Sequence, residues 1–247
     1  MIPLRDLNPA RRVPIVTLLV IGVNVLVFLY QSSLSPGALE RFIVQFGMTP
    51  ADVTGDLEPY VYTLFTSMFL HGDILHIGSN MLYLWIFGNN IEDRLGPIRF
   101  VVFYFVTGLL AAGTQIAIDP VSSTPNIGAS GAIAGVLGAY LVLYPNARVQ
   151  TLIFFWYLVR IVEVSAVWLL GWWFLLQVIS GLFELGALSA QGGVAYFAHI
   201  GGFAAGWVLI RVFAAGRLPP PRRDDWTIPT VDDAVRNRRR DDRWWDR

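Results

Sequence analysis

Gly128-Ala129-Ser130-Gly131-Ala132-Ile133-Ala134-Gly135-Val136-Leu137-Gly138-Ala139-Tyr140-Leu141-Val142-Leu143-Tyr144 sits inside a charge-free run that extends from 120 to 147. No soluble surface tolerates so long a run of apolar residues without a charge. As a helix it is a candidate to cross a bilayer, whose apolar core needs about 20 such residues. Further charge-free runs occupy 13–39, 74–91, 100–118, 164–183 and 185–210. They predict six spans at 13–31, 74–91, 100–118, 130–144, 164–183 and 195–213. The fold expected is an all-α, polytopic, six-helix membrane bundle with a long first outer loop.

Composition agrees. Of 247 residues, 55% are hydrophobic and only 15% charged, where soluble domains carry about a quarter. Mean hydropathy is +0.54. An ordinary soluble enzyme, a disordered chain and a secreted disulfide scaffold are excluded. The chain has no cysteine, which removes disulfides, thiol catalysis and cysteine-bound zinc. Zero net charge gives no support for binding nucleic acid.

Arginine sets the orientation, because basic loops stay cytoplasmic. Arg5, Arg11 and Arg12 precede span 1, Arg94 and Arg99 separate spans 2 and 3, Arg148 and Arg160 separate spans 4 and 5, and Arg211, Arg217, Arg222 and Arg223 follow span 6. The opposite loops hold Arg41 alone. Both termini are therefore expected in the cytoplasm. The domain plan is a cytoplasmic segment at 1–12, a membrane domain at 13–215 and a tail at 216–247. The tail's Pro219-Pro220-Pro221 and mixed Arg and Asp predict disorder. The run 149–159 is too short to span easily and reads as interfacial or partly buried. The first apolar run has no small-residue cleavage site and reads as a retained helix.

In lipid the informative residues are polar. His76 and Asn80 lie one helical turn apart in span 2, Ser130 opens span 4, and His199 lies in span 6. All three spans enter from the outer side. At 1.5 Å per residue, His76, Asn80 and His199 fall roughly 4–10 Å below the outer boundary. Span 4 covers only about 22 Å of a core near 30 Å, so Ser130 starts roughly 8 Å down. Four polar residues from three spans thus share one depth. Gly131, Gly135 and Gly138 on span 4, and Gly202 and Gly206 on span 6, permit close helix approach. That approach would bring Ser130 to His199. The chemistry this suits is nucleophilic: Ser130 attacks, His199 takes its proton, and Asn80, His76 and the Ser130 backbone N–H hold the oxyanion. No carboxylate shares that depth, so a dyad is expected.

Three motifs, His71-Gly72-Asp73-Ile74-Leu75-His76-Ile77-Gly78-Ser79-Asn80, Gly128-Ala129-Ser130-Gly131 and Ala198-His199-Ile200-Gly201-Gly202 with Gly206, follow one another on spans 2, 4 and 6. In these the sequence resembles the rhomboid family of intramembrane serine proteases, over roughly 59–211. The resemblance implies a six-helix core, a first outer loop partly in the membrane, and cleavage of other proteins' transmembrane segments near their outer ends. It implies Ser130 as nucleophile, His199 as base, and His76 and Asn80 as oxyanion donors. His71 would be supporting, and Glu92 and Arg94 would be structural at the inner ends. No cofactor or metal is implied. The partners implied are transmembrane substrates and the bilayer, and the membrane expected is a bacterial plasma membrane.

The chain departs from the family in two places. Tyr62-Thr63 stands where many members have Trp-Arg, and Ala134 stands one turn after the serine where some members carry an aromatic that supports the base. Three rival readings fit the residues less well. A zinc site of His71, Asp73, His76 and His199 lacks the His-Glu-x-x-His spacing. A transporter would want ionisable residues at the midplane. A catalytically silent relative that binds transmembrane segments would usually lack the serine or the histidine, and both are present.

Overall fold

The computed structural model describes residues 1–8, 10–155, 158–186 and 194–216. The expected disordered tail lies outside them, apart from Gly216. The chain opens with β1 (Ile2–Asp6) and α1 (Ile15–Ser33). The long first loop folds into α2 (Pro36–Phe46), α3 (Pro50–Gly55), α4 (Leu57–Tyr60) and α5 (Thr63–Thr66). Next come α6 (Ile74–Tyr83), which runs through a wider π turn at Leu84–Gly88 into α7 (Asn89–Leu95), then α8 (Pro97–Ile118) and α9 (Ser130–Leu143). The strands β2 (Arg148–Phe155) and β3 (Leu158–Ser165) precede α10 (Ala166–Gly186) and α11 (Tyr196–Phe213). Each charge-free run therefore contains a helix.

Four helical stretches, Ile15–Ser33, Pro97–Ile118, Ala166–Leu185 and Tyr196–Phe213, are long and apolar enough to cross a membrane, and Ser130–Leu143 is a shorter apolar helix. Their faces are inverted relative to a soluble protein. On α1, Asn24 and Gln31 point inward and are buried, while Leu19 (62% exposed) and Leu26 (68%) point out. On α10, Trp168 and Phe183 are each 75% exposed. Surfaces this apolar require lipid around them, which makes the chain an integral membrane protein.

Helix α9 is the axis of the bundle: every residue from Gly131 to Tyr140 is buried. It is poor in bulky side chains, so its neighbours approach its backbone directly. A methyl group at Gly202 would collide with the Gly131 carbonyl, one at Gly206 with the Gly135 backbone, and one at Gly138 with the Phe203 carbonyl. On the opposite side a methyl at Gly135 would run into the Thr107 side chain of α8. Helix pairing in lipid depends on such packing, since no hydrophobic effect separates helix from solvent there.

The end of the bundle that holds the starts of α1 and α8 is closed by two buried carboxylates. Helix α1 starts after Pro14 without a side-chain cap of its own. Glu92 of α7 supplies one from a distance, accepting from Val16 N (2.9 Å), Thr17 N (2.8 Å) and Thr17 Oγ1 (2.8 Å). A negative group is favoured at this end by the helix dipole, so the position expected to be structural caps the first span. Asp6 accepts from Asn90 Nδ2 (2.6 Å) and the Tyr140 hydroxyl (3.0 Å), which ties β1 to α7 and α9. Burial pushes its carboxyl up to about 6, against the pull of those two hydrogen bonds.

The all-α expectation omits a three-stranded antiparallel sheet, ordered β1-β2-β3. Ile2 pairs with Leu152, and Arg148 through Phe155 pair with Ser165 through Leu158. The run expected to be interfacial or partly buried is thus a hairpin with the N-terminal segment added to its edge. Its β-branched and aromatic residues favour strands, and each of its halves is far too short to span.

Gly206→Val forces α9 and α11 apart against backbone and is expected to cost about 1–3 kcal/mol. Gly22→Ala, where an added methyl meets nothing within 4 Å, serves as the control. Unfolding midpoints in detergent check this, and equal midpoints for the two variants would remove backbone contact as the basis of the bundle.

Candidate active site

Three helix starts build the site. Helix α6 is fixed by Asp73, whose Oδ1 accepts from Leu75 N and His76 N, both at 2.8 Å. This cap places His76 in the first turn, with Asn80 one turn further on the same face. Backbone N–H groups on the exposed Asp73 carboxylate hold it below the usual carboxylate range.

The ring of His76 is oriented by the chain just before it. Gly72 N–H donates to His76 Nδ1 (3.3 Å), so that nitrogen carries no proton and Nε2 carries it. Nε2 faces the turn that leads into α9. A methyl at Gly128 would come within 2.8 Å of His76 Nε2 and 3.5 Å of Ser130 Oγ. Gly128 also has φ +128°, a backbone conformation that side chains disfavour, and its N–H donates to the Ser67 carbonyl (2.8 Å). Glycine is thus required here twice, by the backbone and by the imidazole beside it.

His71 lies behind His76, ring edge to ring face at 5.0 Å. Its backbone is held by Gln31 of α1, which accepts from His71 N (3.1 Å) and donates to His71 O (3.2 Å). Burial, with His76 beside it, pushes the His71 imidazole down to about 4. It is a neutral wedge behind His76.

Ser130 is the first residue of α9, where backbone N–H groups have no partner within the helix. From α11, the buried His199 places Nε2 2.7 Å from Ser130 Oγ. The glycine contacts between α9 and α11 set that distance. His199 Nδ1 lies 2.8 Å from Gln177 Oε1 of α10. The Trp173 ring covers the same imidazole at 5.9 Å and 36°. Asn80 is buried, with its side-chain N–H₂ unpartnered among the described residues. An unpaired buried donor is rare and marks a place where something else can bind. A cavity of about 50 Å³ adjoins Ser130, bordered by Met68, Gly108, Ala111, Gly128 and Ala198. It has room for a water molecule.

Ser130, His199 and His76 are therefore gathered at one point, with Asn80 a turn below His76 and His71 behind it. Gly131, Gly202 and Gly206 serve the α9–α11 contact. A serine hydroxyl donating to a neutral imidazole can lose its proton to it. The Nε2–H of His76, the Asn80 amide and the first N–H of α9 are donors of the kind that hold a developing oxyanion. Sequence reasoning passed over Trp173 and Gln177. Their signal was present: a glutamine inside a charge-free span, with an aromatic four residues earlier on the same helical face.

The Rhomboid domain family model matches residues 58–216. "Rhomboid protein 1, mitochondrial" of Saccharomyces cerevisiae is 30% identical over 140 residues, covering 54% of this chain and 38% of that protein. "RHOMBOID-like protein 4" of Arabidopsis thaliana is 34% identical over 155 residues, 60% of this chain and 33% of that one. "Rhomboid protease GluP" of Bacillus subtilis is 30% identical over 135 residues, 55% and 26%. The chain thus spans about a third of the length of these relatives. With the family match covering well over half of the chain, across the three helix starts just described, the chain belongs to the rhomboid family.

Proposed function

We propose that this chain is an intramembrane serine endopeptidase that cuts transmembrane segments of other membrane proteins through a Ser130–His199 dyad. The 2.7 Å contact between Ser130 Oγ and His199 Nε2, inside a bundle that lipid surrounds, carries the reading. The protease named among the relatives supports it. Ser130 Oγ attacks the scissile carbonyl carbon and its proton passes to His199 Nε2. The carbonyl oxygen takes the negative charge, facing His76 Nε2–H, the Asn80 amide and the Ser130 N–H. His199 then gives the proton to the leaving amine as the C–N bond breaks. Water, deprotonated by His199, opens the acyl-serine ester. Protein groups and water suffice, and no metal or cofactor takes part.

A fluorophosphonate probe, which esterifies activated serines, is expected to label the detergent-purified wild type and neither Ser130→Ala nor His199→Ala. Labelling of Ser130→Ala at the wild-type level would end the serine mechanism. Absence of labelling in all three would favour a silent protein that binds transmembrane segments. Asn80→Ala is expected to raise the barrier to probe reaction by roughly 1–3 kcal/mol, the scale of one hydrogen bond to a charged group. An unchanged rate would assign the oxyanion to other donors.

The arginine distribution supports six spans within 13–215, cytoplasmic termini and a cytoplasmic tail at 216–247, in a bacterial plasma membrane. A reporter fused to the C-terminus and active only in the cytoplasm is expected to work. A signal only from an externally active reporter would invert the topology.

A further inference from the structure

We propose that Gln177 is the positioning residue of the base: its side-chain carbonyl holds His199 in the tautomer that can accept the Ser130 proton. The proposal rests on the dyad above and adds to it a neutral third member on a separate helix.

The hydrogen bonds fix which way each group points. Gln177 Nε2 donates to the Trp173 carbonyl (3.4 Å), an acceptor only. The amide oxygen must then be the atom 2.8 Å from His199 Nδ1. An oxygen there accepts, so Nδ1 carries the proton and Nε2 presents its lone pair to Ser130 Oγ. With the opposite tautomer, two lone pairs would face each other at Gln177, and Nε2–H would point at the serine and could take no proton from it.

One turn of α10 thus restrains the imidazole twice. Trp173 covers its face and Gln177 holds its edge. Phe174 stacks on Phe203 of α11 (4.5 Å, 25°) and keeps that turn against the helix that bears His199. Ala134, one turn after the serine, has no ring to offer, and α10 supplies the cover.

An amide orients without adding charge. The groups around the ring are Ser130 from α9 and Gln177 and Trp173 from α10. Among the described residues, the titratable neighbour acting on it is His76 of α6. Replacing the amide by a carboxylate would keep the hydrogen bond and stabilise the protonated ring. The pH dependence then separates this role from simple interhelical packing.

The test uses the full chain in detergent, read by the second-order rate of fluorophosphonate labelling against pH, with ¹⁵N spectra of histidine-labelled protein. Only three histidines are present, and His199→Ala assigns the signal. Gln177→Leu is expected to slow labelling about 10- to 100-fold, less than loss of a charged orienter causes. It is also expected to replace the distinct pyrrole-like Nδ1 and pyridine-like Nε2 signals by averaged ones. Gln177→Glu is expected to restore labelling at alkaline pH, with the acid limb moved up by about one pH unit or more. Wild-type labelling and an unmoved limb in both variants would overturn the proposal while leaving the dyad intact. A wild type that never labels would remove the dyad. The ¹⁵N arm still decides the tautomer then, and a pyridine-like Nδ1 in the wild type overturns the proposal by itself.

Discussion

The backbone of α9 touches the backbone of α11, and the site depends on that contact. Gly202 and Gly206 lie where any side chain would strike Gly131 and Gly135. With nothing compressible between the helices, their separation is set by hard atoms. Ser130 opens one helix and His199 sits near the start of the other, so the contact fixes the 2.7 Å hydrogen bond between them. Larger residues would leave the pattern of spans unchanged and move the two groups out of reach.

The two imidazoles beside Ser130 are set to opposite tautomers by their neighbours. Gly72 N–H donates to His76 Nδ1, which leaves His76 a donor at Nε2. Gln177 Oε1 faces His199 Nδ1, which leaves an acceptor at Nε2. Both rings turn Nε2 toward the serine side, one as a donor and one as an acceptor. In an apolar surrounding an unpaired polar atom is costly, so these hydrogen bonds hold the rings firmly. The Asn80 amide, one turn from His76, and both ring nitrogens of His71 are without hydrogen-bond partners among the described residues.

At the opposite end of the bundle the same physics works for cohesion. Glu92 caps α1 from α7, and Asp6 joins β1 to α7 and α9. Each carboxylate meets donors from elements far apart in sequence, so the N-terminal strand and first helix are locked to the middle of the chain. Helix α10 differs: much of its surface is apolar and exposed, and its inward face carries Trp173, Phe174 and Gln177.

By itself the sequence determined the helical membrane bundle, because the solvent of each helix can be read from missing charge. The common depth expected for His76, Asn80, Ser130 and His199 rests on the span boundaries and the rise per residue. The glycines announced a close helix contact, and the motif order on three spans carried the family. The sheet was not legible, since a short apolar run between two arginines suits an interfacial segment as well as a strand, and its pairing with Ile2–Asp6 joins residues nearly 150 apart. Nor was the support of His199. Gln177 is 22 positions from it, and only the packing of α10 on α11 shows that this glutamine, among the polar residues of the spans, meets His199. Periodicity and solvent preference are local and survive in one dimension. Which polar atoms meet across helices is decided by tertiary packing, because a hydrogen bond depends on distances of a few ångström that no local pattern encodes.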